Sequence, residues 1–175
     1  MTLPRKSLKS TGQYSHITCE LQVKKWYDWF MARKTSSPAW RSGCPLNASV
    51  EMLGDRWSLL IIRDLMLHGA RSYRELLECP EGIATNILAD RLRKLERHSI
   101  VKIEPDARDR RRRVYELTNK GIDLAPVLTE LVLWAAAHER TGNQALVQQL
   151  RRDKTRFMAE IRRRWTQRIQ ARKPD

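Results

Sequence analysis

A charged segment lies between two short stretches rich in β-branched residues, and this order constrains the fold of the chain more than any other feature. The β-prone stretches are residues 99–104 and 114–117, and β-branched side chains favour strands. Between them, residues 106–113 contain five arginines and two aspartates. Two short strands joined by a loop of this length are expected to form a hairpin with an exposed, basic tip.

Helical segments are predicted before the hairpin. Residues 47–68 carry apolar side chains nearly all round, which predicts one long central helix that ends at Gly69. Ser72 and Glu75 have the spacing of a capping box and predict the start of a short helix. A tight turn follows, and leucines at positions i, i+4 and i+7 predict a helix over 84–98 with one buried face.

Helices are also predicted after the hairpin. Thr118 can cap a helix that runs to about Arg140, with a kink at the internal Pro126. Gly142 breaks the chain, and a last amphipathic helix is predicted over 144–170. This order of elements predicts a mainly α fold. It is a winged helix-turn-helix, with a three-helix core and a two-stranded β wing, followed by C-terminal dimerisation helices.

The net charge of +14 is concentrated at the two ends of the chain. Residues 1–40 carry a charge of +5, residues 41–140 only +2, and residues 141–175 carry +7. The bulk charge therefore indicates non-specific attraction to polyanions. Specific recognition would depend instead on where a few arginines lie within the nearly neutral central region.

Three regions are predicted from charge and periodicity. Residues 1–40 form a flexible basic leader, residues 41–122 a winged helix-turn-helix DNA-binding domain, and residues 123–175 a helical dimerisation extension. Residues 1–30 lack sustained periodicity and a capping signal. One hypothesis is therefore that the native chain starts at Met31.

The helix predicted over 84–98 presents a polar face suited to reading DNA, because the second helix of a helix-turn-helix enters the major groove. Asparagine can bond adenine, arginine can bond guanine, and aspartate can accept from cytosine. Asn86, Asp90 and Arg93 are therefore the candidates for base contacts, while Thr85, Arg91 and Lys94 are candidates for phosphate contacts. The candidate interface on this helix is Thr85, Asn86, Ala89, Asp90, Arg91, Arg93 and Lys94.

The arginines of the predicted hairpin tip are the second part of this interface. Such side chains fit along phosphates or into a narrow minor groove. Taken alone, the polar helix face and the arginine run are each more simply explained as solvated surface. Their occurrence together, in this order, favours DNA binding. The candidate wing residues are Arg108, Arg110, Arg111, Arg112 and Arg113.

Several short motifs resemble those of HxlR-type winged helix-turn-helix regulators, over about residues 41–140 and in the family's order. The resemblance implies a bacterial, dimeric transcription regulator, and it implies that quinones, aldehydes or oxidants are signals for some members. Members commonly begin just ahead of the Cys-Pro motif, which supports a start at Met31. The motifs are Gly43–Asn47, Leu53–Leu65, Gly82–Ile83, Leu88–Glu96, Val114–Thr118 and Lys120–Gly121.

One position departs from the pattern of the family. Members often have serine after the Gly-Ile turn, where it can cap the recognition helix, whereas this chain has Ala84. Alanine is a poor cap, so we expect Thr85 or Asn86 to cap instead and the helix to start one residue later. A capping Thr85 would point at its own backbone, not at DNA.

Cys44 matches the N-terminal cysteine that serves as a redox sensor in some members of the family. The sharper hypothesis is that oxidation or alkylation of its thiolate changes the dimer and releases DNA, with Arg41 lowering the pKa of the thiol. The simpler hypothesis is that Cys44 is a small residue that packs near the dimer interface.

An apolar face on the helix after the wing predicts a dimer seam, because winged-helix regulators read two-fold, pseudo-palindromic DNA sites as two-fold dimers. Trp134 adjoins this face. Like Trp57 and Trp165, it could instead line the pocket of a small-molecule effector. The predicted seam consists of Leu124, Leu128, Leu131, Trp134, Ala135 and His138.

Several other classes of protein are disfavoured. No run of about 18 apolar residues and no signal peptide is present, so we expect no membrane association. Cys19, Cys44 and Cys79 do not form a disulfide framework, which predicts a cytoplasmic protein. Without an HExxH, CxxC, G-x-S-x-G or glycine-rich phosphate motif, we expect no metal, no cofactor and no enzymatic activity.

Two alternatives stay open. The basic ends could make the chain a non-specific architectural protein for DNA or RNA, and in that case deleting residues 141–175 should abolish binding. The winged helix could instead bind another protein as an adaptor, and this alternative predicts no salt-dependent binding to any duplex.

Overall fold

The computed structural model describes residues 40–106 and 109–171, which form helices and a two-stranded sheet. The chain divides into two units between Ala48 and Ser49. The predicted leader up to residue 39, with the hypothetical start at Met31, lies outside the described residues. Within the described ranges, no helix is both long and apolar enough to cross a membrane.

The apolar segment before the wing forms two helices and a π-helical turn, so the prediction of one helix over 47–68 is wrong. Helix α1 covers Pro45–Leu53, helix α2 covers Arg56–Arg63, and the π-helical turn covers Asp64–His68. Gly69 ends the segment in the left-handed conformation, with φ of 72°. This glycine stop was predicted.

The break between α1 and α2 comes from Gly54 and Asp55. A Cβ atom at Gly54 would collide with the backbone oxygen of Val50, so this close approach requires glycine. Asp55 is extended, and its carboxylate accepts hydrogen bonds from the backbone nitrogens of Trp57 at 3.0 Å and Ser58 at 2.9 Å. Asp55 therefore caps α2, a signal that the apolar periodicity concealed.

The two helices of the helix-turn-helix form as predicted. Helix α3 covers Tyr73–Leu77, and both hydrogen bonds of the capping box between Ser72 and Glu75 are present. Helix α4, the second helix of the pair, covers Thr85–Arg97. Its buried leucine stripe packs against α2 and the wing.

The predicted hairpin is confirmed. Strand β1, Val101–Pro105, pairs antiparallel with strand β2, Arg113–Leu117. The backbone nitrogen of Tyr115 also donates to the carbonyl oxygen of Arg71 at 2.7 Å. This bond ties the wing to the segment that precedes α3.

The segment after the wing contains two helices and not the single kinked helix predicted up to Arg140. Thr118 caps a short helix α5, Asn119–Ile122, by accepting from the backbone nitrogen of Gly121 at 3.2 Å. Helix α6 then covers Ala125–His138, with Pro126 in its first turn. Proline needs no hydrogen-bond partner there. Pro126 therefore lies at the start of a helix, and the kink predicted at this residue is absent from α6.

The C-terminal segment is also divided, although one helix was predicted over 144–170. Helix α7 covers Gln144–Arg152 and helix α8 covers Lys154–Gln170. Asp153 separates them with φ of −158° and ψ of 83°, and its carboxylate accepts from the backbone nitrogen of Arg156 at 2.8 Å. Asp153, a capping residue within a continuous amphipathic pattern, therefore divides the predicted helix into α7 and α8.

Helix α8 belongs to the same core as the winged helix. Phe157, Ile161 and Trp165 pack against the buried residues of the core. The indole nitrogen of Trp165 donates to the carbonyl oxygen of Leu117 at 2.9 Å. The largest fully buried side chains include Ile62, Leu76, Leu88, Leu92, Leu95, Ile100 and Ile122.

Candidate nucleic-acid interface

Helix α4 buries its three predicted core leucines and turns a polar face to solvent. This face carries the three residues predicted to contact bases, and all three side chains are exposed. The exposed members of the predicted set are Thr85, Asn86, Asp90 and Arg93, and Ala89 is half-buried beside them. The guanidinium of Arg93 donates to the carbonyl oxygen of Ala89 at 3.2 Å.

The start of α4 differs from the expectation. Ala84 occupies the N-cap position with no side-chain bond, and Thr85 is the first helical residue. The prediction that Thr85 or Asn86 would cap the helix is therefore wrong. The hydroxyl of Tyr73, on α3, donates to the carbonyl oxygen of Thr85 at 2.5 Å, so tertiary packing fixes the start of the helix without a capping side chain.

Arg91 and Lys94 point toward the start of α2. The Lys94 ammonium lies 3.2 Å from one carboxylate oxygen of Asp55, and Nε of Arg91 lies 3.4 Å from the other. The Arg91 guanidinium also lies 3.2 Å from the carboxylate of Asp90. Both cations were predicted to contact phosphates. The structure shows that they also hold α4 against the N-terminus of α2.

Asp55 is thus a site residue that sequence reasoning missed. Burial of its carboxyl favours the neutral form, but hydrogen bonds from Ser58 and Lys94 and the nearby Arg91 outweigh burial and lower the pKa of Asp55. The available signal was local, because aspartate is a favoured N-cap residue and Asp55 follows a glycine within the apolar pattern.

The tip of the wing carries exposed arginines. The backbone nitrogen of Arg111 donates to the carboxylate of Asp109 at 3.1 Å, and the backbone nitrogen of Arg112 donates to the Asp109 carbonyl at 2.9 Å. Asp109 therefore shapes the turn that presents the guanidinium groups. The exposed arginines are Arg110, Arg111, Arg112 and Arg113, while Arg108 lies outside the described residues.

Cys44 is an exposed free thiol immediately before α1. Its backbone nitrogen donates to the Ser42 hydroxyl at 3.3 Å, and its carbonyl oxygen accepts from Ala48 at 3.1 Å. Cys79 is also a free thiol but is half-buried. Within residues 40–106 and 109–171, no three His, Cys, Asp or Glu side chains form a group that could hold a metal ion.

The predicted dimer seam is divided between the core and the surface. Leu124 and Leu128 are half-buried and pack against the core, and Ala135 is also half-buried. Leu124 and Leu128 therefore contribute to the fold of the single chain.

The outer side of α6 exposes large apolar groups. Leu131 is 44% exposed and Trp134 is 63% exposed. The ring of the exposed His138 lies 5.4 Å from the Trp134 ring. Val127, which is 46% exposed, lies on the same helix one turn before Leu131 and was missed by the sequence analysis.

Comparison with known proteins identifies the class of this fold. Residues 52–143 match the HxlR-like helix-turn-helix family. The chain belongs to the HxlR family. The match includes both helices of the helix-turn-helix, the wing and α6, but it ends before α7 and α8.

Individual relatives of this HxlR-family chain agree with that result. The HTH-type transcriptional regulator sll1512 of Synechocystis sp. is 34% identical over 100 residues, covering 56% of this chain and 73% of the relative. The HTH-type transcriptional regulator YodB of Bacillus subtilis is 36% identical over 93 residues, covering 53% and 82%. The crystal structure of PA1607 has 32% identity and a TM-score of 0.54, covering 59% of this chain and 70% of that chain. The chain is therefore a transcriptional regulator of the HxlR type.

The Asp55 cluster of this regulator should respond to pH. Asp55 has a lowered pKa in the folded protein, so near pH 4 the unfolded chain binds more protons and stability rises with pH. The ion pairs stabilise the fold above the unfolded pKa of about 3.9, and their contribution is lost as pH falls through the lower folded pKa. We expect Asp55→Asn, which keeps a capping side chain, to cost about 1 kcal/mol at pH 7 and progressively less below pH 4.

Urea denaturation between pH 3 and pH 7 measures this difference. Asp90→Asn is the matched control, because the Asp90 side chain is 53% exposed and its removal should change stability little at any pH. A stability difference for Asp55→Asn that is constant over this pH range would contradict the prediction.

Proposed function

We propose that the chain is a homodimer that binds a pseudo-palindromic double-stranded DNA site and regulates transcription from it. The observation that carries the proposal is the exposed polar face of α4, with Asn86, Asp90 and Arg93, in the same folded unit as the arginine tip of the wing. Helix α4 enters the major groove in this proposal, and the wing lies on the backbone or in the minor groove.

The chemistry of the α4 face supports sequence-specific recognition. The side chains of Asn86, Asp90 and Arg93 offer an amide, a carboxylate and a guanidinium, which pair with different base edges. A face built only for phosphates would carry cations alone. Because Arg91 and Lys94 both pair with Asp55, we assign them a role in positioning α4 as well as a contact to the DNA backbone.

The exposed apolar side of α6 supports the dimer. Contiguous exposed apolar groups on a soluble protein mark interaction surfaces, and a two-fold operator requires two copies of α4. The second copy would cover Leu131 and Trp134 through an isologous contact.

The proposed signal is oxidation or alkylation of Cys44. Its thiol is exposed, so oxidants and electrophiles can reach it, and it occupies the position of the cysteine in the Cys-Pro motif. Modification at the start of α1 would alter the dimer and release DNA.

The rival proposal of non-specific binding through the basic ends needs a different test from deletion of residues 141–175. Deletion would remove Phe157, Ile161 and Trp165 from the core and would unfold the protein under either hypothesis. Replacing the exposed Arg151 and Arg152 with glutamine keeps the fold. It should weaken binding and reduce the salt slope by about 2 only if the bulk charge is the determinant.

Arg93→Ala and Arg111→Ala should weaken DNA binding in different ways. The operator is first obtained by selecting bound duplexes from a random pool. Arg93→Ala should then lose about 1–3 kcal/mol on that operator and relax the preference at one base position. Arg111→Ala should weaken binding on all sequences and reduce the salt slope by about 1. Fluorescence anisotropy over a series of salt concentrations measures both, and an unchanged preference in Arg93→Ala would refute the placement of α4.

Trp134→Asp should convert the dimer to a monomer, because a carboxylate cannot be buried unpaired in an apolar seam. Sedimentation velocity would measure the change in mass. Gln148→Asp, which adds the same charge at an exposed position of α7, is the control and should stay dimeric. A dimeric Trp134→Asp variant would place the seam elsewhere.

Cys44→Ser should bind the operator as the wild type does and keep it bound in the presence of diamide or a quinone. The reason is that serine offers no thiolate to oxidise or alkylate. The wild-type chain should release DNA under the same treatment, and a reductant should reverse the effect of diamide. Release by the serine variant would exclude Cys44 as the sensor.

A further inference from the structure

An apolar cavity lies between the helix-turn-helix region and the C-terminal helices. Its volume is about 270 Å³, and its walls come from α2, the π-helical turn, α6, α7 and α8. Leu59, Val132, Leu146 and Phe157 are among the side chains that line it. Leu128, Leu131 and Ala135 of the predicted dimer seam also line it, so the cavity adjoins the surface that the second copy would cover. Trp57, Trp134 and Trp165, considered above for an effector pocket, are not among the lining residues described.

The polar groups on the cavity wall are already satisfied. The hydroxyl of Thr129 donates to the carbonyl oxygen of Ala125 at 2.8 Å. The guanidinium of Arg63 donates to Asp64 at 2.8 Å and to both oxygens of Glu81 at 2.5 and 2.9 Å. A charged ligand would find no free partner in these groups, and burying it would be costly. A neutral apolar molecule meets no such cost.

The size of the cavity also selects its occupant. An engineered cavity of about 150 Å³ lined by apolar side chains stays dry and binds benzene, so this larger cavity has room for a substituted single ring. A whole helix of a partner protein is about 10 Å across and is too wide for this volume, so a second copy could fill it only with a single side chain. Leu146 and Phe157 come from α7 and α8, which lie beyond the part of the chain that matches the HxlR family.

We propose that this cavity binds a small, neutral, apolar molecule of the size of a substituted single ring, and that this molecule is an effector of DNA binding. The effector role rests on the function proposed above, whereas the binding site does not.

The connection to DNA runs through Arg63. This residue lines the cavity, and its ion pair with Glu81 spans to the turn that precedes α4. Ile83, two residues after Glu81, is buried in the core, and α4 starts at Thr85. The bond from Arg63 also lowers the pKa of Glu81 to about 2, so the pair is intact at neutral pH. A ligand that displaces Arg63 therefore moves the start of the recognition helix.

The binding site is tested by titrating p-xylene into the full chain and following methyl chemical shifts by NMR. We expect saturable shifts with a Kd of about 1 mM or tighter. The p-toluate ion, which has a carboxylate in place of one methyl group, should bind at least tenfold more weakly. No saturable binding of p-xylene, or equal binding of p-toluate, would overturn the proposal without any reference to DNA.

A pair of variants locates the site. Leu146→Trp fills the cavity from α7 and should weaken p-xylene binding at least tenfold. Gln148→Trp adds the same side chain on the exposed face of α7 and should bind as the wild type does. Binding by Trp134→Asp but not by the wild-type dimer would show that a second copy occupies the cavity, and would overturn the proposal.

The effector role is tested on the selected operator. Saturating p-xylene should change the operator Kd at least fivefold, and operator should change the Kd for p-xylene by the same factor. Glu81→Gln should keep p-xylene binding and reduce this coupling. If p-xylene binds but the operator Kd is unchanged, the effector role is wrong. If no duplex is ever selected, the proposed function fails. The p-xylene titration still shows whether the cavity binds an apolar molecule.

Discussion

The carboxylate of Asp55 is the interaction on which the arrangement of this HxlR-family regulator depends. It begins α2 by accepting two backbone hydrogen bonds, and it fixes α4 by pairing with Lys94 and Arg91. One side chain therefore joins the start of α2 to α4, beside the apolar contact made by the buried leucine stripe. Gly54 lets α1 end immediately before Asp55. Asp55 therefore also marks the boundary between α1 and the helices that follow.

The sequence was sufficient to predict the order of elements from α3 to β2, because local signals there agree with tertiary packing. Ser72 and Glu75 form their capping box, and the β-branched runs pair as strands. The long helices were predicted wrongly for one common reason. Apolar periodicity continues across Asp55, Pro126 and Asp153, and only their capping or first-turn roles reveal the breaks.

The sequence predicted which side chains of the candidate interface are exposed, but it did not predict the partners of the interface cations. Helical periodicity gives the direction of a side chain, so Asn86, Asp90 and Arg93 were assigned to the exposed face. It does not give the partner of a long cation, and the contacts of Lys94 with Asp55 join residues 39 positions apart. The cavity was beyond sequence reasoning for the same reason, since its walls come from five separate elements.

The hydrogen bond from Trp165 to Leu117 gives strand β2 a mechanical role. At about 3.4 Å per residue, this five-residue strand spans roughly 17 Å. Leu117, which accepts the bond from α8, lies at one end of the strand, and Arg113 of the wing tip lies at the other. The strand is short and paired, so a shift of α8 at Leu117 is passed along β2 to the arginine tip, against the restraint of the bond between Tyr115 and Arg71. The segment with the highest net charge of the three regions therefore contacts the wing through a neutral indole and a backbone carbonyl.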